Sequence, residues 1–273
     1  MTLRFDGYSA TTQAANPHQL IALFGEGFTE REGRGYHSFG HKVSIVDESG
    51  TEAGSVMWGG AQRDRSMIEV KGEHSPRVVE ALRSAFPHRA TRLDACADFD
   101  APGAFERLDA ACVAIKGKFR LKGEQRGDWL DFPELGRTRM LGGVSAVSRL
   151  RLYEKGKQPE YAHLAKPDWA RIEAQVRPAK EAKDAFSKAS PQDVWGASPW
   201  LRELAGLVLL EHIDPHPAGT VWRKTSLEQR LTWLCRQAGP TLLELLEEVG
   251  TWECLGLTLG EKVKELREGK ELE

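Results

Sequence analysis

The chain has 273 residues, and its 38 Lys and Arg against 40 Asp and Glu give a formal net charge of −2. Its 27 Gly and 13 Pro are too few for a collagen-like or low-complexity chain, and its 8 Trp and 10 Phe exclude a disordered one. The near-neutral charge is unusual for a nucleic-acid-binding protein, which commonly has a basic excess.

Short segments rich in β-branched or aromatic residues, separated by glycine clusters, predict strands. They are Leu3–Ser9, Lys42–Asp47, Ser55–Trp58, Met67–Lys71, Arg92–Asp100, Phe119–Gly123, Thr138–Leu141, Arg149–Lys155 and Arg171–Val176. Apolar residues at helical spacing predict helices between these strands. They are His18–Phe24, Ser75–Ala85 and Ala101–Lys116.

The pattern changes after Pro178, where amphipathic helices replace strands. Ala179–Ala189 is interpreted as a polar helix or a linker, and four helices are predicted after it. They are Pro199–His212, Ser226–Gln237, Thr241–Glu248 and Thr258–Lys270. We therefore predict an α+β fold: a largely antiparallel sheet domain with packed helices over residues 1–185, then a helical C-terminal region over 186–273. The apolar stripe of that region packs on the sheet domain or forms a homodimer.

Membrane association is not expected, because no apolar run reaches the ~18 residues of a membrane helix. The first residues have no basic segment followed by an apolar one, so no secretory signal is expected either. The cysteines are Cys96, Cys112, Cys235 and Cys254, without a C-x-x-C pair. Scattered cysteines in a chain of this size predict reduced thiols in a cytoplasm.

Four predicted strands collect their polar residues on one face, because successive side chains point to opposite faces. The polar sets are Arg4, Asp6 and Tyr8; Arg92, Asp94, Cys96, Asp98 and Asp100; Arg149, Arg151, Tyr153 and Lys155; and Arg171, Glu173 and Gln175. A solvated face of an antiparallel sheet is the ordinary interpretation. Carboxylates, guanidinium groups and tyrosines instead of small polar residues favour a site for a divalent cation and a phosphate.

The carboxylates Asp94, Asp98 and Glu173 offer the oxygen ligands that Mg²⁺ and Mn²⁺ prefer, and arginine forks match phosphate oxygens. Tyr153 is flanked in sequence by arginines and lysines, which favour the phenolate form. A tyrosine beside a polarised phosphate can act as a nucleophile. The alternative is a structural tyrosine at a sheet edge.

Four blocks occur in a fixed order. They are Gly59-Gly60 with Met67–Gly72; Arg92–Phe99 (R-x-D-x-x-x-D-F); Leu141-Gly142 continuing to Arg151–Gln158 (R-x-Y-x-K-G-K-Q); and Trp169–Glu173 (aromatic, Ala, then R-x-E). Together they resemble the replication initiation factor (Rep_trans) family, the initiators of certain rolling-circle plasmids and of filamentous phages. The resemblance covers residues 1–180.

The resemblance implies a Mg²⁺- or Mn²⁺-dependent DNA endonuclease and strand transferase that nicks an origin. By motif position, Tyr153 would attack a phosphodiester, become linked to the 5′ phosphate, leave a free 3′ hydroxyl, and later rejoin strands. Arg151 and Lys155 would hold the attacked phosphate. The metal ligands would be Asp94 and Glu173, with Asp98 and Asp6 as further candidates.

The partners that the resemblance implies are origin DNA, single-stranded or in an extruded hairpin, and the helicase and replication machinery of a bacterial host. A basic stretch before the tyrosine block favours DNA contacts, and Phe119 and Trp129 could stack on unpaired bases. A solvated hairpin is the alternative for this stretch. The predicted DNA-binding residues are Lys118, Arg120, Lys122, Arg149, Lys157 and Arg171.

Two other functions stay open. A non-catalytic origin-binding or regulatory protein would not need Tyr153 or the carboxylates, and a metal-dependent nuclease could use water as its nucleophile. The near-neutral total charge does not exclude DNA binding. It averages a first part with clustered Lys and Arg and a C-terminal part rich in Glu.

Overall fold

The computed structural model describes residues 2–132, 135–219 and 226–267. Within these ranges ten strands form one antiparallel sheet, ordered β2-β3-β4-β5-β1-β6-β10-β9-β8-β7. The strands are β1 (Arg4–Thr12), β2 (Thr29–Arg34), β3 (His41–Val46), β4 (Glu52–Gly59), β5 (Gln62–Lys71), β6 (Arg89–Asp100), β7 (Gly123–Arg126), β8 (Thr138–Leu141), β9 (Ser148–Glu154) and β10 (Trp169–Val176). The helices are α1 (Pro17–Ala22), α2 (Ser75–Ala85), α3 (Ala104–Phe119), α4 (Ala182–Phe186), α5 (Pro191–Trp195), α6 (Pro199–Val208), α7 (Ser226–Val249) and α8 (Trp252–Arg267). The predicted α+β class is confirmed.

The predicted strand Phe119–Gly123 is wrong, whereas the other predicted strands are present, Thr138–Leu141 with the predicted ends and the rest with shifted ends. Helix α3 continues to Phe119, whose ring packs against the core, and ends at Arg120 in the left-handed conformation (φ 50°). The sequence analysis also missed β2 and β7, the two edge strands. Both are exposed along their whole length, so neither shows the apolar alternation of a half-buried strand.

Strand β1 contains a bulge where it pairs with β6. The register shifts between Phe5 and Gly7, so Asp6 is an extra residue in the ladder. A bulge changes which side the following residues face. Tyr8 therefore lies in the core against the ring of Phe5, although strict alternation predicts it on the polar side with Asp6.

Helices cover one face of the sheet and enclose its main core, and a small separate cluster contains Phe39, Met57 and Met67. Its buried members include Val78, Val79 and Leu82 of α2, Phe105, Leu108 and Ile115 of α3, and Leu93, Leu150, Leu152 and Ile172 of the central strands. Each large side chain buried in this way contributes roughly 1.5–3 kcal/mol. The opposite side of β1, β6, β9 and β10, here called the polar face, carries Asp6, Gly7, Arg92, Asp94, Asp98, Arg149, Arg151, Tyr153, Arg171, Glu173 and Gln175.

The chain divides into two compact units, residues 1–221 and 222–273. The predicted boundary, between 185 and 186, lies earlier in the chain than this division. Helices α4, α5 and α6 belong to the first unit because Phe186, Trp195 and Leu201 are fully buried in the same core as the sheet. The polar composition of Ala179–Ala189 hid this packing.

The second unit contains α7 and α8. The helices predicted at Ser226–Gln237 and Thr241–Glu248 form one continuous helix, α7, with Pro240 inside it. Helix α8 covers most of the predicted Thr258–Lys270 helix, whose last residues lie outside the described ranges. Among the described helices, none is both long and apolar enough to cross a membrane. All four cysteines are free thiols, as expected.

Candidate active site

The centre of the polar face is built by three neighbouring strands, β6, β10 and β9. Directly opposed residues of antiparallel strands lie on the same face. The rows across these strands are Asp98–Arg171–Tyr153, Cys96–Glu173–Arg151 and Asp94–Gln175–Arg149. The structure thus places the predicted nucleophile and its predicted partners side by side.

Arg171 forms a closed ion network with two of the carboxylates predicted as metal ligands. Its guanidinium, 1% exposed, donates from Nε and Nη2 to Asp98 (2.6 and 2.7 Å) and from Nη1 to Asp6 (2.7 Å). Asp98 also accepts from Arg4 at 3.1 Å and from the indole of Trp169 at 2.9 Å. Burial opposes ionisation of Asp98, but the hydrogen bonds and charge of Arg171 hold its pKa below the ordinary value.

In this network, Asp6, Asp98 and Arg171 bind one another and hold neighbouring strands together. Each carboxylate already accepts from a guanidinium, and Arg171 has almost no surface for a DNA phosphate. The network joins β1, β6 and β10 across the centre of the sheet. Both oxygens of Asp98 and all three nitrogens of Arg171 are engaged within this network, whereas Asp6 accepts at Oδ1 only and also lines the cleft described below. The metal-ligand roles of Asp6 and Asp98 and the DNA contact of Arg171 stay predictions.

Asp94 and Glu173 line one cleft of about 240 Å³, here called the carboxylate cleft, together with Asp6, Gly7, Glu69, Arg92 and Arg151. Asp94 is 4% exposed and Glu173 is 3% exposed. Each has one arginine partner: Arg92 donates from Nε and Nη2 to Oδ1 and Oδ2 of Asp94 (3.0 and 2.5 Å), and Arg151 Nη2 donates to Glu173 Oε2 at 2.9 Å. Each oxygen of Asp94 still has a second lone pair, and Glu173 accepts at Oε2 alone among the described contacts, so both carboxylates keep acceptor capacity at the cleft.

Gly7 makes the position of Asp94 available. The two residues are opposed across β1 and β6, and a Cβ on Gly7 would lie 2.7 Å from Asp94 Oδ2. A glycine inside a strand commonly marks such a close approach. Sequence alternation alone did not identify this role.

The carboxyl group of Glu173 has an unusually high proton affinity. Burial raises its pKa to about 7, the negative charge of Asp94 adds to this effect, and Arg151 opposes it. Two close carboxylates with few cationic partners form a site that a cation would stabilise.

Tyr153 lies beside Glu173 and is 5% exposed. The guanidinium of Arg151 sits over its ring, 4.6 Å from the ring centroid. Burial raises the pKa of the phenol, the charge of Glu173 raises it further, and Arg171 and Arg151 oppose both effects. The resting phenol is thus protonated, and neutralising the charge of Glu173 would favour its ionisation.

Lys155 was predicted as the last residue of a strand, but β9 ends at Glu154 and Lys155 begins the 3-10 turn that follows it. Its ammonium lies 4.3 Å from the ring centroid of Tyr161 and 5.2 Å from that of Trp169. Burial lowers its pKa, and the positive charge of Arg171 lowers it further. Lys157, another predicted DNA contact, forms an ion pair with Glu154 at 2.8 Å.

The predicted basic stretch lies in the helical layer rather than on the polar face. Lys118, in α3, is paired with Glu203 of α6 at 2.6 Å. Arg120 and Lys122 are exposed just beyond the end of α3. Trp129 packs against Phe105, with arginine side chains over its ring, so it does not offer a free stacking surface.

The sequence analysis placed Arg92 on the polar side of its strand but named none of Arg92, Glu69 and Arg177 as a site residue, although all three lie near the site. Arg92 binds Asp94, and Glu69 lines the carboxylate cleft from β5 while accepting a hydrogen bond from Tyr36. Arg177 follows β10 two residues after Gln175. Continuing the alternation past the end of the strand would have placed Arg177 on the same side.

A divalent metal fits the cleft in one restricted way. In the part of the chain that the structure describes, no three His, Cys, Asp or Glu side chains are grouped to hold an ion. Mg²⁺ commonly takes only one or two carboxylates, with water and substrate phosphates completing its octahedron. Asp94 and Glu173 match that mode, so they are the residues that would hold a metal together with a bound phosphate.

The chain was compared with family models, curated proteins and solved structures, and solved structures match it. No family model matches the chain, and no curated protein matches it. Among solved structures it is similar to a rolling circle replication initiator protein from Geobacillus stearothermophilus, with 17% identity and a TM-score of 0.49. The match covers 84% of this chain and 91% of that one.

Proposed function

We propose that this protein initiates rolling-circle DNA replication by nicking an origin strand with Tyr153 and later rejoining strands. The observation that carries the proposal is the grouping of Tyr153, Arg151, Glu173 and Asp94 at the centre of the polar face. A nucleophile, a phosphate-binding cation and two carboxylates in one place are the parts that metal-assisted phosphoryl transfer needs.

The proposed step conserves atoms and charge. The phenolic oxygen of Tyr153 attacks the phosphorus, forming a Tyr–O–P bond to the 5′ phosphate as the bond from phosphorus to the 3′ oxygen breaks. The phenol releases its proton to the cleft, and the leaving oxygen takes up a proton to become the 3′ hydroxyl. Rejoining reverses the step, with a 3′ hydroxyl attacking the phosphotyrosine.

Arg151 is suited to hold the attacked phosphate because its side chain is 43% exposed while its guanidinium bridges Glu173 and Tyr153. Lys155 adds positive charge at the end of the same strand. A Mg²⁺ or Mn²⁺ ion held by Asp94 and Glu173 would offset the negative charge of the phosphate. The partners we propose are single-stranded or hairpin origin DNA, the host replication helicase and a second copy of this chain.

The decisive experiment does not require a known origin. The full chain is incubated with Mn²⁺ and an end-labelled pool of randomised single-stranded DNA, and covalent protein–DNA adducts are separated under denaturing conditions. We expect wild type to form adducts whose sequencing gives a common motif, and Tyr153→Phe to form none. Tyr8→Phe is the matched control because Tyr8 lies on the core face, and it should keep forming adducts.

The other outcomes separate the rival functions. Nicking that persists in Tyr153→Phe would indicate a nuclease that uses water. Sequence-selective binding by wild type with neither nicking nor adducts would indicate a non-catalytic origin-binding protein.

A further inference from the structure

From the arrangement of arginines beside the carboxylate cleft, we infer that Arg149 and Arg177, supported by Arg92, form a second phosphate subsite that holds a DNA phosphodiester other than the one Tyr153 attacks. This inference rests on the proposed function and names part of its substrate contact. Its ligand chemistry is a phosphate anion held between two guanidinium forks.

Four guanidinium groups surround a single cleft of about 220 Å³ next to the carboxylate cleft. Its lining includes Arg92, Arg149, Arg151, Arg177, Glu173 and Gln175. The four arginines come from β6, β9 and the residue that follows β10, so the rigid centre of the sheet fixes their spacing. Glu173 is the carboxylate in this lining, and the cleft therefore has a large excess of positive charge.

The four arginines differ in their partners. Arg92 is bound by Asp94 and Arg151 by Glu173. Arg149 and Arg177, by contrast, have no carboxylate partner among the described residues. Nη2 of Arg149 approaches only the sulfur of Met140, at 3.9 Å, and its Nε is buried without any hydrogen-bond partner.

Buried donors without acceptors are unfavourable, as are like charges held close together. Burial lowers the pKa of Arg177, and the positive charges of Arg92 and Arg149 lower it further. An anion with several acceptor oxygens would satisfy both arginines at once. Phosphate has this geometry and binds guanidinium forks bidentately.

Strand geometry separates this subsite from the attacked phosphate. Arg149 lies four residues before Tyr153 on β9, which corresponds to roughly 13 Å along a strand. The positive surface also continues away from Tyr153. Arg92 and Arg177 line a further cleft of about 450 Å³ with Arg65 and Lys183. A DNA strand whose scissile phosphate is at Tyr153 would therefore place another phosphate between Arg149 and Arg177.

The test measures how binding of a fluorescent, randomised single-stranded oligonucleotide depends on salt, using the full chain. The double variant Arg149→Gln/Arg177→Gln should bind roughly tenfold or more weakly at low salt, because charge-assisted contacts are lost. Its slope of log K against log salt should fall by about 0.7, the value for one phosphate of a single strand. Arg107→Gln, an exposed arginine of α3, is the control with the same chemical change.

A double variant that behaves like Arg107→Gln overturns the inference. The variant Arg149→Lys/Arg177→Lys keeps the charges and should restore the slope. If it does not, the loss in the Gln variant reflects damage to the fold, and the inference is rejected.

Two further arms identify the source of the phosphate and separate this inference from the proposed function. If inorganic phosphate raises the melting temperature of wild type but not of the Gln variant, while the DNA slope is unchanged, the subsite binds a free anion and its assignment to DNA is wrong. Adducts formed equally by wild type and the Gln variant, with equal slopes, reject the subsite and leave the nicking function intact. A reduced slope without any adducts in wild type supports the subsite and rejects the nicking function.

Discussion

Four carboxylates lie around the centre of the polar face, in two pairs whose arginine partners differ. Asp6 and Asp98 are here called the first pair, and Asp94 and Glu173 the second pair. Asp6 and Asp98 are bound by Arg171 and Arg4, which hold the pKa of Asp98 below its ordinary value. Asp94 and Glu173 have one arginine each, and the pKa of Glu173 is above its ordinary value. Carboxylates on the same face of the sheet thus have pKa values shifted in opposite directions.

The difference lies in the number and burial of the cationic partners. Arg171 is 1% exposed and uses all three guanidinium nitrogens on the first pair, so those ions are fixed. Arg151 has a side chain that is 43% exposed and donates to Glu173 through one nitrogen. In the proposed function a metal ion would replace Arg151 at Glu173, whereas replacing Arg171 would break the connection between three strands.

The largest expected effect is on the rate of adduct formation, when the negative charge of either residue of the second pair is removed. Asp94→Asn and Glu173→Gln should each lower the rate of adduct formation roughly 10³-fold, because a metal ion supplies several kcal/mol of charge stabilisation. Both variants should remain folded. Asp98→Asn should show the reverse, a loss of stability with a smaller loss of rate. Equal rate losses in all three variants would erase the distinction between the pairs.

The next effect is on stability, from removing the cation of the first pair. Arg171→Met leaves Asp6 and Asp98 without their main partner, and breaking a buried ion pair on one side is strongly destabilising. We expect the free energy of unfolding in urea to fall by about 3 kcal/mol, because both carboxylates keep some contact with solvent. Arg89→Met is the matched control, since its ion pair with Asp184 is exposed on both sides. That control should change stability by roughly 0–1 kcal/mol.

The two pairs should also respond to pH in opposite directions. Glu173 has a pKa of about 7 in the folded protein and 4.5 as its reference value, so the folded state binds its proton more tightly. Below pH 4.5 this group has no effect on stability. As the pH rises toward and through 7 without metal, the unfolded state is ionised first, and stability falls by on the order of 3 kcal/mol.

Asp98 contributes with the opposite sign. Its lowered pKa gives stability that is present above its reference value of 3.8 and is lost as the pH falls through the lower folded value. Melting temperatures of metal-free wild type and Glu173→Gln between pH 5 and 8 provide the measurement. The variant should lose less stability than wild type across this range, and parallel curves would contradict the raised pKa.

The sheet was largely predictable because most of its strands are half buried. Arg92–Asp100 and Arg171–Val176 alternate between the core and the polar face, and that alternation is visible in the sequence. The edge strands β2 and β7 were not predictable because they are exposed on both sides and bury nothing. The later domain boundary was missed for the opposite reason, since Phe186 and Trp195 are buried apolar residues within mostly polar segments.

The sequence predicted which side of each strand the site residues lie on, but not which residues they bind. Alternation placed Asp94, Asp98 and Glu173 on one side, and pairing of the strands was needed to show that Asp98 belongs to Arg171. The bulge at Asp6 reversed the side of Tyr8, an effect that no spacing rule reveals. Lys118 was predicted to contact DNA because it lies in a local run of basic residues. The sequence did not indicate that it would bind Glu203, which is 85 residues away.

The smallest expected effect comes from adding one carbon atom, the Cβ that Gly7 lacks, next to Asp94. Gly7→Ala places a Cβ 2.7 Å from Asp94 Oδ2, so the carboxylate must move away from its position in the cleft. We expect a stability loss of about 1 kcal/mol from this overpacking and a roughly tenfold slower adduct formation as the ligand shifts. Gly33→Ala, on exposed β2 with nothing within 4 Å, is the control and should be close to neutral. Asp98 is bound by Arg171 and Arg4, so we expect the substitution to leave the positions of Asp6 and Asp98 unchanged. If Gly7→Ala matches Gly33→Ala in both urea unfolding and adduct rate, the position of Asp94 does not matter, and the second pair loses its assigned role.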